Sequence, residues 1–302
     1  MQLIIFALLF LSSCSFETPL NESKNAGTLS EEKEVYFSDP IQLDSLKEFS
    51  REGIRERIDS IQKVGGDLYV HCLVPLCDND NQGIVKVSQS LGDGLNLRTN
   101  LYWATGHGMK AYFQKSSKWK TIKIYNPESD DILERAVFRS KIGNSTVYLI
   151  TDAYRGDRMK ECLEDYFRSL AGGKNDSLII DSLTVYLNSK ADLIGFNGHN
   201  GLMDVPVDKV VAVDNREKDA VAIGCISNSY FKPYFFQARA FPLVMTTGLM
   251  YPGAFIFDDI IQKWAINATD LEIKYAAGDA YNRVMKCGQR GGRNLFSTGW
   301  EG

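Results

Sequence analysis

A histidine and a cysteine stand in matching positions in this chain. Residues 193 to 204 read LIGFNGHNGLMD, a buried-strand pattern that breaks into Gly198-His199-Asn200-Gly201. Residues 220 to 231 read AVAIGCISNSYF, the same pattern ending in Gly224-Cys225 and small polar residues. The chain has three histidines and six cysteines, so few residues of either type are available to pair. A thiol near an imidazole is the smallest set for thiol nucleophilic catalysis: the ring favours loss of the thiol proton, and the thiolate attacks a carbonyl. Gly198 and Gly201 are expected to permit unusual backbone angles and the close approach of a substrate. Backbone N–H groups at such a turn can hold a developing oxyanion. Taken singly, a turn histidine and a buried core cysteine remain structural alternatives.

The elements that must position these two residues follow from periodicity. DSLKEFSREGIRERIDSIQK, 44 to 63, carries apolar residues at Leu46, Phe49, Ile54, Ile58 and Ile61, a helical stripe closed by Gly65-Gly66. DLYVHCLVPL is a strand broken by CDNDNQG, and WKTIKIYN is a short strand preceded by a helical segment ending in KAYFQKS. ERAVFRSKIGNSTVYLITDAYRG reads as two strands turning at Gly143-Asn144, the second running into the helix DRMKECLEDYFRSLAGG. ADLIGFNGH, DAVAIGCIS and FPLVMTTG are near-continuous apolar strands of the kind covered on both faces. Two further helices follow, the second opening at a Thr269 N-cap. Strands alternating with helices predict an α/β fold with a mostly parallel central sheet in one domain. In such a sheet ligands bind beyond the carboxyl ends of the strands, which is where His199 and Cys225 fall.

Composition narrows the classes. The 302 residues are 44% hydrophobic and 24% charged, with a formal net charge of -4. No basic footprint supports a nucleic-acid partner. The N-terminal MQLIIFALLFLSSC has an apolar run too short to span a bilayer but suited to a secretory signal. Leu11-Ser12-Ser13-Cys14 resembles the lipobox of bacterial lipoproteins, although no Lys or Arg precedes the apolar run. That resemblance implies removal of the leader, lipid on Cys14 and an exported protein anchored to the bacterial membrane on its periplasmic or outer-membrane side. The divisions expected are a signal with lipobox over 1–14, a polar tether over 15–40 and the α/β domain over 41–302. The remaining cysteines show no paired CxxC units and the histidines no metal-ligand spacing, so no metal or cofactor is expected. Cys72 and Cys77 are close in sequence but held apart by a strand, and Cys162 lies on the apolar face of its helix.

The order of a hydrophobic strand with GH and G, then a hydrophobic strand with GC and S, resembles the caspase-like cysteine peptidases. In that group a histidine ends one strand and the nucleophilic cysteine ends the next. The resemblance covers roughly residues 145 to 285. It implies a caspase-like three-layer α/β/α sandwich, a peptide or protein substrate, Cys225 as nucleophile and His199 as general acid/base. The group has glycine directly after the histidine. Here HNG stands instead, so the N–H of Asn200 or Gly201 is expected to serve the oxyanion. CDNDNQGI, NLYW, GHNGLMD and CISNSYF together also resemble a family of bacterial lipoproteins, which adds no activity.

Acids fall near the same rim: Asp78 and Asp80 after the first strand, Asp152 after VYLIT, and Asp204 after the histidine loop. They are expected either to cap turns or to form an acidic pocket for a basic substrate side chain. Tyr154-Arg155 is the alternative, a carboxylate site. His107 in ATGHG is expected in a loop, and Arg290 to Arg293 in a solvated tail. A different class of function is also open: a catalytically inactive α/β lipoprotein that binds a peptide or envelope partner.

Overall fold

The computed structural model of the chain describes residues 50–301. The signal, Cys14, the tether and the start of the first predicted helix lie outside the described residues. The rest of that helix is α1, Glu52–Val64, which buries Ile54 and Ile58 and ends at Gly65 in the left-handed conformation.

An eight-stranded sheet forms the centre, in the order β10-β9-β8-β7-β1-β4-β3-β2. Its strands are β1 (Asp67–Pro75), β2 (Lys120–Tyr125), β3 (Ile132–Ile142), β4 (Ser145–Tyr154), β7 (Leu193–Asn197), β8 (Lys218–Ile223), β9 (Ala240–Thr246) and β10 (Phe296–Ser297). β4, β1, β7, β8 and β9 are mutually parallel; β2, β3 and β10 pair antiparallel at the two ends. The two punctuated strands thus run parallel to TVYLIT in one sheet. Every residue of β7, β8 and β9 is buried, as strands covered on both faces require. Alternate residues feed two cores. Leu193, Val221 and Ile223 pack with α1, α2 (Met109–Lys115), α5 (Ala254–Trp264) and α6 (Asp270–Met285). Ile194, Phe196, Ala220 and Ala222 pack with α3 (Met159–Leu170) and α4 (Ser227–Gln237).

Numbered among themselves, the five parallel strands lie in the order 2-1-3-4-5. Such a sheet reverses its winding between its first and third strands, here β1 and β7, and ligand sites form at the carboxyl edge there. His199 follows β7 directly at this switch point.

Several elements are additional to the sequence expectation, the short edge strand β10 among them. The hairpin β5 (Asn175–Ile180) and β6 (Leu183–Asn188) forms a separate sheet. It lays Ile180, Val185 and Leu187 over Val137, Tyr148 and Ile150. α4 contains Pro233 in a helix interior, which hid it from a propensity argument. The expected solvated tail contains α7, Gln289–Asn294. A Cβ on Gly278 would lie 2.5 Å from Arg293 Cα, and Arg293 makes two hydrogen bonds of 2.7 Å to Asp279. α7 is thus docked on α6 through a glycine contact and an ion pair. The Thr269 N-cap closes a full capping box with Glu272.

Candidate active site at the carboxyl edge of the sheet

β7 and β8 are neighbours, and Asn197 is paired with Ile223. His199 and Cys225 each stand two residues past that pair. Their loops meet backbone to backbone. Gly198 N–H donates to Ile223 O at 3.0 Å, and Asn200 Nδ2 donates to Cys225 O at 2.7 Å. A Cβ on Gly224 would lie 2.8 Å from Gly198 O, so only glycine allows this approach. Gly198 and Gly201 do not take positive φ, contrary to the expectation of unusual backbone angles. They provide space instead: a Cβ would come within 2.9 Å of Pro75 Cγ at 198 and 2.2 Å of Met159 Cγ at 201.

The unusual angle sits one residue after the cysteine. Ile226 has φ 49° and ψ 34°, the left-handed region. For a β-branched residue this is an outlier costing roughly 1–2 kcal/mol. Surrounding contacts hold it. Ile226 N–H donates to Gly248 O at 3.0 Å, and Ser227 Oγ donates to Ala222 O at 2.7 Å. Cys225 therefore rides a sharp, strained strand–turn–helix, and strain of this kind concentrates at functional sites.

His199 is 6% exposed. Its Nε2 lies 2.7 Å from Asp204 Oδ2, and the same oxygen accepts Gly83 N–H at 2.9 Å. A carboxylate oxygen that already accepts one N–H fixes Nε2 as the protonated ring nitrogen, which leaves Nδ1 as the acceptor in the neutral ring. Asn200 Oδ1 accepts Leu202 N–H at 3.2 Å and shapes the turn. Among the described residues no backbone carbonyl accepts the N–H of Asn200 or Gly201.

Cys225 is half-buried. Its Sγ lies 3.5 Å from Met250 N and 3.6 Å from Met250 O. Burial pushes the thiol up, against smaller lowering contributions from the Met250 backbone and its own. Burial with no offsetting cation favours the neutral thiol in this arrangement. No hydrogen bond joins Sγ to the His199 ring.

The expected acidic pocket is not assembled. Asp78 is buried and caps its own turn, accepting from Asp80 N, Asn81 N and Asn81 Nδ2. Asp80 is exposed, 3.8 Å from Lys86. Asp152 is fully buried within β4, bound by Arg135 Nε at 2.5 Å and Nη2 at 2.6 Å and by His71 Nε2 at 3.0 Å. A cleft of about 260 Å³ opens there, lined by Arg135, Asp152, Lys174 and Asp176 and by no residue of β8. Asp204 holds the histidine. Nor are Tyr154 and Arg155 free for a carboxylate: Tyr154 donates to Asp165 at 2.8 Å and Arg155 pairs with Asp157. His107 is a loop residue, as expected, its ring edge-on to Phe255 at 5.3 Å and Tyr251 at 6.4 Å.

Sequence reasoning missed the role of Asp204, although its spacing of five residues after His199 in a tight turn was a usable signal. Ile226 and Met250 carried none. Cys72, Cys77 and Cys162 are buried free thiols. No group of His, Cys, Asp and Glu suited to a metal ion occurs among the described residues. No helix among them is long and apolar enough to cross a membrane. Comparisons with protein-family models, curated proteins and solved structures give no match.

Proposed function

We propose that the protein is a cysteine peptidase of the caspase-like type, acting through Cys225 and His199 with Asp204 orienting the ring. The observation that carries this reading is the register: a histidine and a cysteine, each two residues past a paired position on adjacent parallel strands, with a strained turn directly after the thiol. The resembled group has this layout.

In the reaction His199 Nδ1 takes the Cys225 thiol proton and the sulfur attacks the peptide carbonyl carbon. The tetrahedral oxyanion is held by the free N–H groups at Asn200 and Gly201. His199 returns the proton to the leaving amine as the C–N bond breaks, leaving a thioester. Water, deprotonated by His199, then cleaves the thioester and regenerates the thiol. In this reading the contact of Sγ with Met250 is a resting arrangement that the sulfur leaves for catalysis. With Cys14 as lipid anchor the domain works at the bacterial envelope on peptide or protein substrates.

A second reading, a binding lipoprotein without turnover, is favoured by one observation: the thiol is raised by burial and satisfied by Met250. Alkylation separates the two. Iodoacetamide is expected to modify Cys225 faster than Cys162 or Cys287 at neutral pH, and His199→Ala to slow it. Cys225→Ser is expected to lower peptide turnover by at least ~10³-fold with the fold intact. Slow labelling that is indifferent to His199→Ala selects the binding reading.

A further inference from the structure

Five of the segments around the dyad are nearly free of charge; the turn into α3, which sets Met159 against Gly201, is the charged exception. Residues 198–207, 224–231 and 247–254 carry one charged side chain, Asp204, and residues 99–108 carry none. Residues 76–84 add Asp78 and Asp80. Each segment reaches the site through a specific contact. Gly83 N–H binds Asp204 and Met250 touches Sγ. Ala254 N–H donates to His107 O at 2.8 Å, tying the loop of 99–108 to the segment after β9. Of the three acids, Asp204 is committed to His199, Asp78 to its own turn, and Asp80 faces solvent. Burial lowers His107 below its ordinary value, which disfavours its charged form.

Apolar side chains stand exposed on these same segments. Leu249 is 64% exposed and precedes the residue that touches Sγ; Met203 is 36% exposed and precedes Asp204. Tyr251 directly follows the residue that touches Sγ. Binding sites of this character are apolar with a few polar groups that fix orientation. A charged substrate side chain placed here would lose water without gaining a partner of opposite charge from these segments.

We infer that the side chain flanking the attacked carbonyl is uncharged and apolar or aromatic, so that the protein cleaves beside residues such as Leu, Met or Phe and not beside Asp, Arg or Lys. This rests on the Cys225 and His199 reading. The test uses peptidyl acyloxymethyl ketones that differ only in the residue next to the warhead: Leu, Phe, Asp and Lys. Inactivation rates are measured on the full chain, and the modified residue is located by mass spectrometry. The Leu and Phe probes are expected to modify Cys225 about 10²-fold faster than the Asp and Lys probes. Leu249→Asp, at an exposed position, is expected to raise the Lys probe about tenfold relative to Leu. An Asp or Lys probe as fast as Leu overturns the inference and leaves the dyad standing. An unchanged ratio in Leu249→Asp removes Leu249 from the pocket and overturns the inference as argued. A panel in which no probe modifies Cys225 overturns the dyad together with it.

Discussion

Asp204 gives the sharpest test of the chemistry, because its asparagine and alanine variants should differ. Its Oδ2 accepts both His199 Nε2–H at 2.7 Å and Gly83 N–H at 2.9 Å. In Asp204→Asn the Gly83 N–H still demands an acceptor, so the amide must place oxygen, not NH₂, at that point. The ring then keeps Nε2 protonated and Nδ1 free for the thiol. Only the charge that stabilises the imidazolium is lost. A charge-assisted hydrogen bond exceeds a neutral one by about 1–1.5 kcal/mol, so the rate should fall about tenfold. Asp204→Ala removes the acceptor altogether. The ring can then turn or adopt the other tautomer, in which Nδ1 bears the proton and cannot accept another. Loss on the order of 10³–10⁴-fold follows. Asp204 is 23% exposed, so stability should fall only about 1 kcal/mol in either variant. The assay is the rate of Cys225 alkylation by iodoacetamide at neutral pH, read by peptide mass spectrometry, with urea unfolding as control. Equal losses in the two variants, or none, would refute the tautomer argument.

Other consequences are more structural. Asp219 is fully buried, holding Arg51 at 2.8 and 2.9 Å and Trp264 Nε1 at 2.8 Å; Asp219→Ala leaves the buried guanidinium with Asp270 alone, at 2.7 Å, and should cost about 3 kcal/mol, checked by the urea midpoint. The Asp152 carboxyl is raised by burial but lowered more strongly by Arg135 and His71, to a net position well below its ordinary value. Its stabilisation is therefore full above about pH 4, the unfolded carboxyl range, and is lost as pH falls through the folded value; the urea midpoint should drop below pH 4, and Asp152→Asn should be weaker at pH 7 but less acid-sensitive. Cys14→Ala should move the protein from the membrane fraction to the soluble one, and unchanged fractionation without lipid on the N-terminus removes the anchor.

What the residues disclose in advance depends on the range of the interaction. Strands such as LIGFN and DAVAI announce themselves because both faces are covered, so most side chains must be apolar and the chain must break where the sheet ends. The edge of the sheet, and with it the placement of His199 and Cys225, is therefore legible from local pattern. Thr269 is legible for the same reason, since a cap is satisfied within one turn. The partners of charged groups are not local. Asp152 follows an apolar run and looks like a rim residue, but β3 lies beside β4 and brings Arg135 opposite it. The antiparallel pairing was foreseen; the side-chain bond depends on register, which the sequence does not print. Met250 reaches Cys225 from beyond β9, across a separation of 25 residues. The strain at Ile226 is hidden more deeply, because Ile is a residue that local propensity assigns away from the left-handed region. Only a turn fixed from both sides, by Gly248 and by Ser227, holds it there. That is the reason the strained turn carries more weight for function than the motif itself: a Gly-Cys after a strand arises readily, whereas a β-branched residue in a costly conformation persists only where its surroundings enforce it.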